Sequence, residues 1–254
     1  MSRPAIEALG RLWKGAEPLR LDLGRERLRL FKDGKCLQRK LTHALRTGLP
    51  DSATIVALRQ DLQQLASSIP GTSQDLNISI SDGIARSWIV DRVPGLASPE
   101  ETETLALDQM QQIYGDHPEA LGRWTIRLDA TPFVSHWPAI ALPSELVACL
   151  HELAGEQGWR IKQIQTRFVA SFNALRGKPF RRAGQAIYAL AEADGLTIGI
   201  RRRDEWLALR THPSLSQLGT ELATMLQRDC TAAGLRLEDC TVHPLTWPSG
   251  RHRP

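Results

Sequence analysis

The alternation of apolar and polar residues follows the same order twice along the chain. Residues 19–41 contain three short segments of mostly alternating or apolar character, and residues 185–211 contain three more. Turn-forming residues separate the segments, such as Asp33 and Gly34 in the first stretch. Alternating segments joined by such turns are typical of antiparallel strands in a meander. The pattern therefore predicts two meanders of three strands, one near each end of the sequence.

A stretch with the periodicity of a helix follows each predicted meander. Apolar residues recur at the spacing of one helix face in residues 54–69, and residues 214–230 are helix-like as well. A meander that leads into a helix, given twice, indicates two related α/β halves.

Further strands and helices are predicted between the two meanders. Asp82 and Gly83 separate two alternating segments, which predicts a β-hairpin over residues 76–90. Ser98 followed by Pro99 is typical of the beginning of a helix. The other predicted elements are paired strands at 124–129 and 137–142, helices at 144–157 and 168–175, and strands at 159–165 and 240–245.

The composition is that of a globular protein without a membrane span. The chain has 254 residues, of which 42% are hydrophobic and 24% charged. No apolar run approaches the roughly 20 residues that cross a bilayer, and the first residues lack the apolar core of a secretory signal. The four cysteines are widely spaced, which favours reduced thiols in a cytoplasmic protein.

The charge distribution and the motifs of the sequence indicate no catalytic residue and no metal ligand. The net charge of +4 comes with arginine clusters but without a continuous basic stripe, so no nucleic-acid partner is expected. The seven histidines occur singly, and there is no Gly-x-Ser-x-Gly motif. A ribonuclease-H-type nuclease needs several carboxylates to hold two metal ions. Asp22 is suitably placed for one of them, but its partners are not evident.

Several short pieces of the sequence, in their order and spacing, resemble a known group of proteins. A meander that opens with Asp-x-Gly and is repeated later resembles the actin-like (ASKHA) fold, in which two ribonuclease-H-like halves face a nucleotide cleft. More narrowly, residues 76–176 resemble PilM-type and GspL-type cytoplasmic proteins of type IV pilus and type II secretion systems. The matching pieces are Ile80-Ser81-Asp82-Gly83-Ile84-Ala85-Arg86-Ser87-Trp88-Ile89-Val90, Ile113-Tyr114-Gly115, Trp124-Thr125-Ile126-Arg127, Ala139-Ile140-Ala141-Leu142-Pro143 and residues 168–173.

The resemblance implies an α/β chain of two ribonuclease-H-like halves. The expected division is an N-terminal helical appendage, the first part of half I, a PilM/GspL-like middle region with hairpins and helices, half II, and a flexible tail. These parts span residues 1–18, 19–75, 76–180, 181–246 and 247–254.

The resemblance also implies a function in assembly. It implies a cytoplasmic protein held at the inner membrane by the short cytoplasmic peptide of a pilus or secretion assembly protein. PilM-like members bind ATP, whereas GspL-like domains have largely lost the nucleotide motifs. The leading hypothesis is thus a non-catalytic pseudo-ATPase scaffold, and the alternative is an active ATP-binding switch. A nucleic-acid-binding ribonuclease-H-like protein and a homodimer are left open.

The expected nucleotide motifs are incomplete in this sequence. An actin-like ATP site implies two Asp-x-Gly turns that approach phosphate and hold Mg²⁺ through water. Asp22 and Gly24 form the first turn, but Arg25-Glu26-Arg27 follows, where the glutamate repels phosphate and the arginines offset it. Between the first two strands of the second meander, residues 192–195 lack the Asp-x-Gly spacing.

Asp22 and Gly24 are therefore interpreted as a vestigial phosphate turn. The alternative is a plain hairpin turn with a structural role only. No cofactor is expected, and ATP with Mg²⁺ is the alternative. Under this interpretation Asp22→Ala should leave folding nearly unchanged.

Three residues are candidates for partner binding. Trp13 lies outside the predicted strands, where an exposed tryptophan favours an interface. Arg86 and Ser87 interrupt an otherwise apolar strand and could face a ligand. The alternative for Arg86 is a place on the solvated face of its strand.

Overall fold

The described part of the chain forms three β-sheets surrounded by helices. The computed structural model describes residues 18–69, 74–93, 95, 98–115, 118–129, 134–175, 184–193, 195–212 and 218–247. The strands are β1 (Leu19–Leu23), β2 (Arg27–Lys32), β3 (Lys35–Lys40), β4 (Asp75–Ile80), β5 (Arg86–Asp91), β6 (Trp124–Leu128), β7 (His136–Pro143), β8 (Arg160–Thr166), β9 (Gln185–Glu192), β10 (Gly195–Arg202), β11 (Glu205–His212) and β12 (Thr241–Leu245).

Helices connect these strands. They are α1 (Ser52–Ala66), α2 (Pro99–Tyr114), α3 (Pro118–Leu121), α4 (Ser144–Glu156), α5 (Arg167–Asn173) and α6 (Leu218–Ala232), with a 3-10 turn at Leu237–Asp239. Among the described residues, no helix is both long and apolar enough to cross a membrane.

The two predicted meanders are confirmed and occupy equivalent places in two sheets. The first sheet has the order β3-β2-β1-β4-β8, and the second has the order β11-β10-β9-β12. In each sheet the first strand of the meander pairs antiparallel with the second and parallel with a later strand, β4 or β12. Asp33 and Gly34 have positive φ angles of 48° and 75°, as a tight hairpin turn requires.

The predicted hairpin over residues 76–90 is wrong. Strand β4 lies between β1 and β8 and is parallel to both, whereas β5 pairs with β7 in a different sheet. The apolar residues of β4, Leu76, Ile78 and Ile80, are fully buried in the core of the first half. Because neighbours on both sides pair with β4, none of its edges is left for β5, and Asp82 and Gly83 lie in a connection between sheets.

The third sheet, β5-β7-β6, comes entirely from the middle region. The predicted pairing of residues 124–129 with 137–142 is confirmed, because β6 and β7 are antiparallel. Ser98 begins α2 with a reciprocal capping box to Glu101, as the sequence predicted. Helix α2 covers one face of this sheet, where Met110 packs among Trp88 and Trp124. The middle region also supplies β4 and β8 to the first sheet, so its strands are shared between two sheets.

Helix α5 links the two halves. It follows β8 of the first sheet directly, yet Phe168 and Phe172 are buried in a core formed with Tyr188 of β9. Gly199 of β10 makes this packing possible, since a Cβ atom there would lie 2.6 Å from Phe168 and 2.5 Å from Trp206.

Gly199→Ala should therefore destabilise the protein by about 1–3 kcal/mol, because neither ring can withdraw from a packed core without strain. Urea unfolding followed by tryptophan fluorescence measures the change. Gly155→Ala in α4 is the matched control, since a Cβ atom there meets nothing within 4 Å. Equal stability of Gly199→Ala and the wild type would contradict the close packing of α5 on the second half.

Candidate functional site

The candidate site is the cleft between the turn that follows β1 in the first half and the turn that follows β9 in the second. Arg167, the first residue of α5, places its guanidinium in this cleft. Its Nε donates to Asp22 Oδ1 at 2.7 Å, and its Nη1 donates to Glu192 Oε1 at 2.5 Å. Asp22 belongs to β1 and Glu192 ends β9. One arginine side chain thus joins both halves.

The three charged groups of this bridge are largely withdrawn from solvent. The exposed fraction of the side chain is 14% for Arg167, 2% for Asp22 and 5% for Glu192. Burial by itself lowers the pKa of Arg167, but the adjacent carboxylates of Asp22 and Glu192 raise it above the ordinary value of an arginine. The guanidinium therefore stays charged, and each carboxylate has a cationic partner.

Glu192 also holds the connection that follows β4. Its Oε2 accepts hydrogen bonds from Ser81 Oγ at 3.1 Å and from the backbone N–H of Asp82 at 2.9 Å. Asp82 is itself fully buried, and its Oδ2 accepts from the backbone N–H of Phe168 at 2.8 Å. Burial, and then the nearby charge of Glu192, raise the pKa of Asp82 to about 7. The cleft therefore contains a carboxyl group that titrates near neutral pH.

Gly24 allows the guanidinium to approach the turn after β1. A Cβ atom at this position would lie 3.0 Å from Nη2 of Arg167 and 3.2 Å from the carbonyl oxygen of Arg27. The turn that the sequence assigns to phosphate thus receives an arginine side chain. Asp22→Ala would remove one partner of a buried ion pair, so the expectation that this change leaves folding nearly unchanged does not agree with the structure.

The residues of the cleft do not fit the Mg²⁺–nucleotide chemistry of an actin-like ATP site. The carboxylate that would hold Mg²⁺ through water is Asp22, and Arg167 is bonded to it. Within the described ranges, no group of three His, Cys, Asp or Glu side chains is placed to hold a metal ion.

Arg86 and Ser87, the predicted partner-binding residues of β5, are buried in the interior of the protein. The guanidinium of Arg86 stacks 4.6 Å from the ring centroid of Tyr114 and 4.3 Å from that of Trp124. The backbone of Ser87 donates to and accepts from the Tyr114 hydroxyl. Both side chains are buried, so Arg86 and Ser87 lie neither on an exposed partner surface nor on a solvated face of β5. Trp13 lies outside the described residues.

A groove of about 700 Å³ lies on the face of the third sheet opposite the face on which α2 packs. Its floor contains Pro138, Ile140 and Leu142, which alternate along β7. One side consists of β8 and of Val169 in α5.

Two sheet edges meet at this groove. In the described part of the chain, β6 pairs only with β7, and β8 pairs only with β4. Residues of both strands line the groove, among them Thr125 and Arg127 of β6 and Gln163 and Gln165 of β8. A strand edge beside an apolar floor is the arrangement that accepts an extended peptide.

Comparisons with known proteins identify the fold. Neither protein-family models nor curated protein sequences match the chain. Among solved structures, the PilM–PilN type IV pilus biogenesis complex matches with a TM-score of 0.54 and 18% identity, over 86% of this chain and 68% of that chain. A Bacteroides thetaiotaomicron protein with an actin-like ATPase fold and unknown function matches with a TM-score of 0.52 and 12% identity, over 89% and 80%. The fold is actin-like.

A third solved structure is the cytoplasmic domain of EpsL, an inner membrane component of the type II secretion system of Vibrio cholerae. It has a TM-score of 0.48 and 9% identity, over 81% of this chain and 74% of that chain. The PilM–PilN complex is thus among the solved structures whose fold this chain shares, in line with the PilM-type resemblance of the sequence.

Sequence reasoning located the first turn of the actin-like cleft but missed Arg167. The only signal was an arginine at the junction of a predicted strand and a predicted helix. Glu192 stands where the resemblance predicts a second Asp-x-Gly turn. Arg167 and Glu192 are 25 residues apart in the sequence, and their contact depends on how the two halves pack. A local sequence pattern does not predict such packing.

Proposed function

We propose that this protein is a non-catalytic scaffold, an actin-like pseudo-ATPase, of a type IV pilus or type II secretion-like assembly platform at the inner membrane. The observation that carries the proposal is the bridge from Asp22 through Arg167 to Glu192. In this scaffold a built-in guanidinium joins the two halves at the place where an actin-like ATPase uses nucleotide and Mg²⁺. The protein holds one arrangement of its halves and presents a fixed surface to its partners.

The proposed partner is an inner-membrane assembly protein that offers a short cytoplasmic peptide. A complex of PilM with PilN is among the similar structures, which supports a partner of this kind. The groove on the third sheet is the proposed binding place, because its apolar floor lies between two strand edges. An extended peptide would add main-chain hydrogen bonds at an edge and place alternate side chains on the floor. The scaffold is then cytoplasmic and reaches the membrane through this peptide.

Val169→Lys should weaken binding of the partner peptide by tenfold or more, because a buried ammonium would oppose the apolar side chains of the peptide. Val169 lines the groove and is only partly exposed. The measurement is fluorescence anisotropy with a labelled peptide from the cytoplasmic tail of the PilN-type protein of the same organism.

Val56→Lys is the matched control, since Val56 is 56% exposed on α1, outside the groove. This variant should bind like the wild type. Wild-type protein that does not bind the tail would refute the proposed partner. Equal binding by wild type and Val169→Lys would refute the groove as its site.

A further inference from the structure

Two cysteines of the second half meet where α6 leads into β12. Cys230 lies near the end of α6, and Cys240 directly precedes β12. Both belong to the apolar core between α6 and the second sheet, where Cys230 is fully buried and Cys240 is partly exposed. Residues 231–239 return the backbone from the helix to the sheet and thereby bring the two side chains together.

The connection between the two cysteines is a compact turn fixed by backbone hydrogen bonds. The N–H of Leu235 donates to the carbonyl oxygen of Cys230 at 2.9 Å, and the N–H of Cys240 donates to that of Leu237 at 3.1 Å. Gly234 has a φ of 69°, the left-handed conformation that commonly ends a helix. These bonds hold both cysteines in place, so their contact belongs to the folded structure.

The two thiols are hydrogen-bonded to each other. Burial raises the pKa of both, that of Cys230 to about 12, whereas the hydrogen bond from Cys230 opposes the rise at Cys240. The Cys240 thiol in turn donates to the carbonyl oxygen of Arg236 at 3.3 Å. Cys240 is therefore both the more accessible and the more easily ionised sulfur of the pair.

We propose that Cys230 and Cys240 are a redox-active pair that a small disulfide, such as glutathione disulfide, oxidises to an internal disulfide bond. The Cys240 thiolate attacks one sulfur of the oxidant, forms a mixed disulfide with it and releases one thiolate. Cys230 then loses its proton and attacks the Cys240 sulfur, which forms the internal bond and releases the second thiolate. The two cysteine protons end on the two released thiols, so one disulfide is reduced for each one formed.

The burial of the pair also favours the disulfide over the reduced form. A protein disulfide is easily reduced when the protein stabilises the resulting thiolate, and burial has the opposite effect here. The bond would tie the end of α6 to the beginning of β12 and close a ring over residues 230–240, which restricts the unfolded chain. The reduced thiols that the sequence favours are then one of two states of the pair. This modification site goes beyond the proposed scaffold function.

The test is peptide mass mapping of the folded wild type after incubation with glutathione disulfide and blocking of the remaining thiols with N-ethylmaleimide. Trypsin cleaves after Arg228, Arg236 and Arg251, so the two cysteines fall in separate peptides, 229–236 and 237–251. The internal disulfide joins these peptides into one mass that disappears on reduction. This linked peptide is the expected main product.

Two variants separate the roles of the sulfur atoms. Cys230→Ala should stop at a glutathione adduct on Cys240, because no second thiol displaces the glutathione. In Cys240→Ala the adduct on Cys230 should form at least tenfold more slowly, because Cys230 is buried. Thermal unfolding of the reduced variants verifies that they are folded.

Cys36→Ala is the matched control, since Cys36 is exposed on β3 of the first sheet. It should form the linked peptide like the wild type. Folded wild type that carries only glutathione adducts would overturn the proposal. A linked peptide that appears only when the protein is unfolded in urea would overturn it as well.

Discussion

Arg167→Met should destabilise the protein by about 3–5 kcal/mol, because it leaves Glu192 as a buried carboxylate without its cation and leaves Asp22 with only the longer contact to Arg29 Nη1 at 3.9 Å. The bonds of Asp22 and Glu192 to Arg167 measure 2.7 and 2.5 Å, and both carboxylates are nearly inaccessible to solvent. Methionine follows the arginine side chain only as far as Nε, so the loss includes the packing of the guanidinium as well as its charge. Urea unfolding at neutral pH measures it.

Two companion variants define what this loss means. Arg123→Met breaks an ion pair with Glu145 at 2.8 Å between side chains that are 47% and 43% exposed, and it should cost at most about 1 kcal/mol. Adding Asp22→Asn and Glu192→Gln to Arg167→Met removes the orphaned charges and should restore most of the stability. If Arg167→Met cost no more than Arg123→Met, the bridge would not hold the halves together.

Asp82 should contribute a loss of stability as the pH rises from about 4 to about 7, and Asp82→Asn should abolish this contribution. Asp82 has a pKa of about 7 in the folded protein, against roughly 3.9 when unfolded. Over this interval the folded state keeps a proton that the unfolded state has released, so the free energy of unfolding decreases with rising pH. The total change from this one group is up to about 4 kcal/mol.

The difference between the wild type and Asp82→Asn isolates Asp82 together with its coupling to neighbouring charges, because groups that do not interact with Asp82 titrate equally in both proteins. Glu192, Thr166, Arg167 and the backbone of Phe168 face Asp82, and all of them remain in the variant. The free energy of unfolding, measured by urea at several pH values, should favour Asp82→Asn increasingly up to neutral pH. Parallel curves for the two proteins would contradict a raised pKa for Asp82.

The twin meanders could be predicted from sequence because their information is local. Alternation puts Leu19, Leu21 and Leu23 on a buried strand, and Asp33 with Gly34 specifies the turn. The same local logic failed at Asp82 and Gly83. Their turn signal is equally strong, but the burial of β4 between β1 and β8 decides the pairing. Whenever a strand is central in a parallel sheet, its neighbours come from distant sequence.

The sequence predicted only one part of the site, the turn at the end of β1. Asp22 and Gly24 lie at the turn after β1, where Asp22 binds a guanidinium and Gly24 makes room for it. The position of Arg86 could not be predicted from the sequence. A cation within an apolar strand looks like a surface feature, and only the aromatic rings of Tyr114 and Trp124 explain its burial.

The most direct test of the central claim, that Arg167 replaces a metal–nucleotide complex between the halves, is thermal unfolding of the wild type with ATP. The comparison is between excess Mg²⁺ and EDTA. A ligand at 100 times its dissociation constant adds about 2.7 kcal/mol, so a working Mg-ATP site cannot escape detection. The bridge predicts that Mg²⁺ produces no increase in the midpoint beyond that seen with ATP in EDTA. A midpoint that rises only when ATP and Mg²⁺ are present together would contradict it.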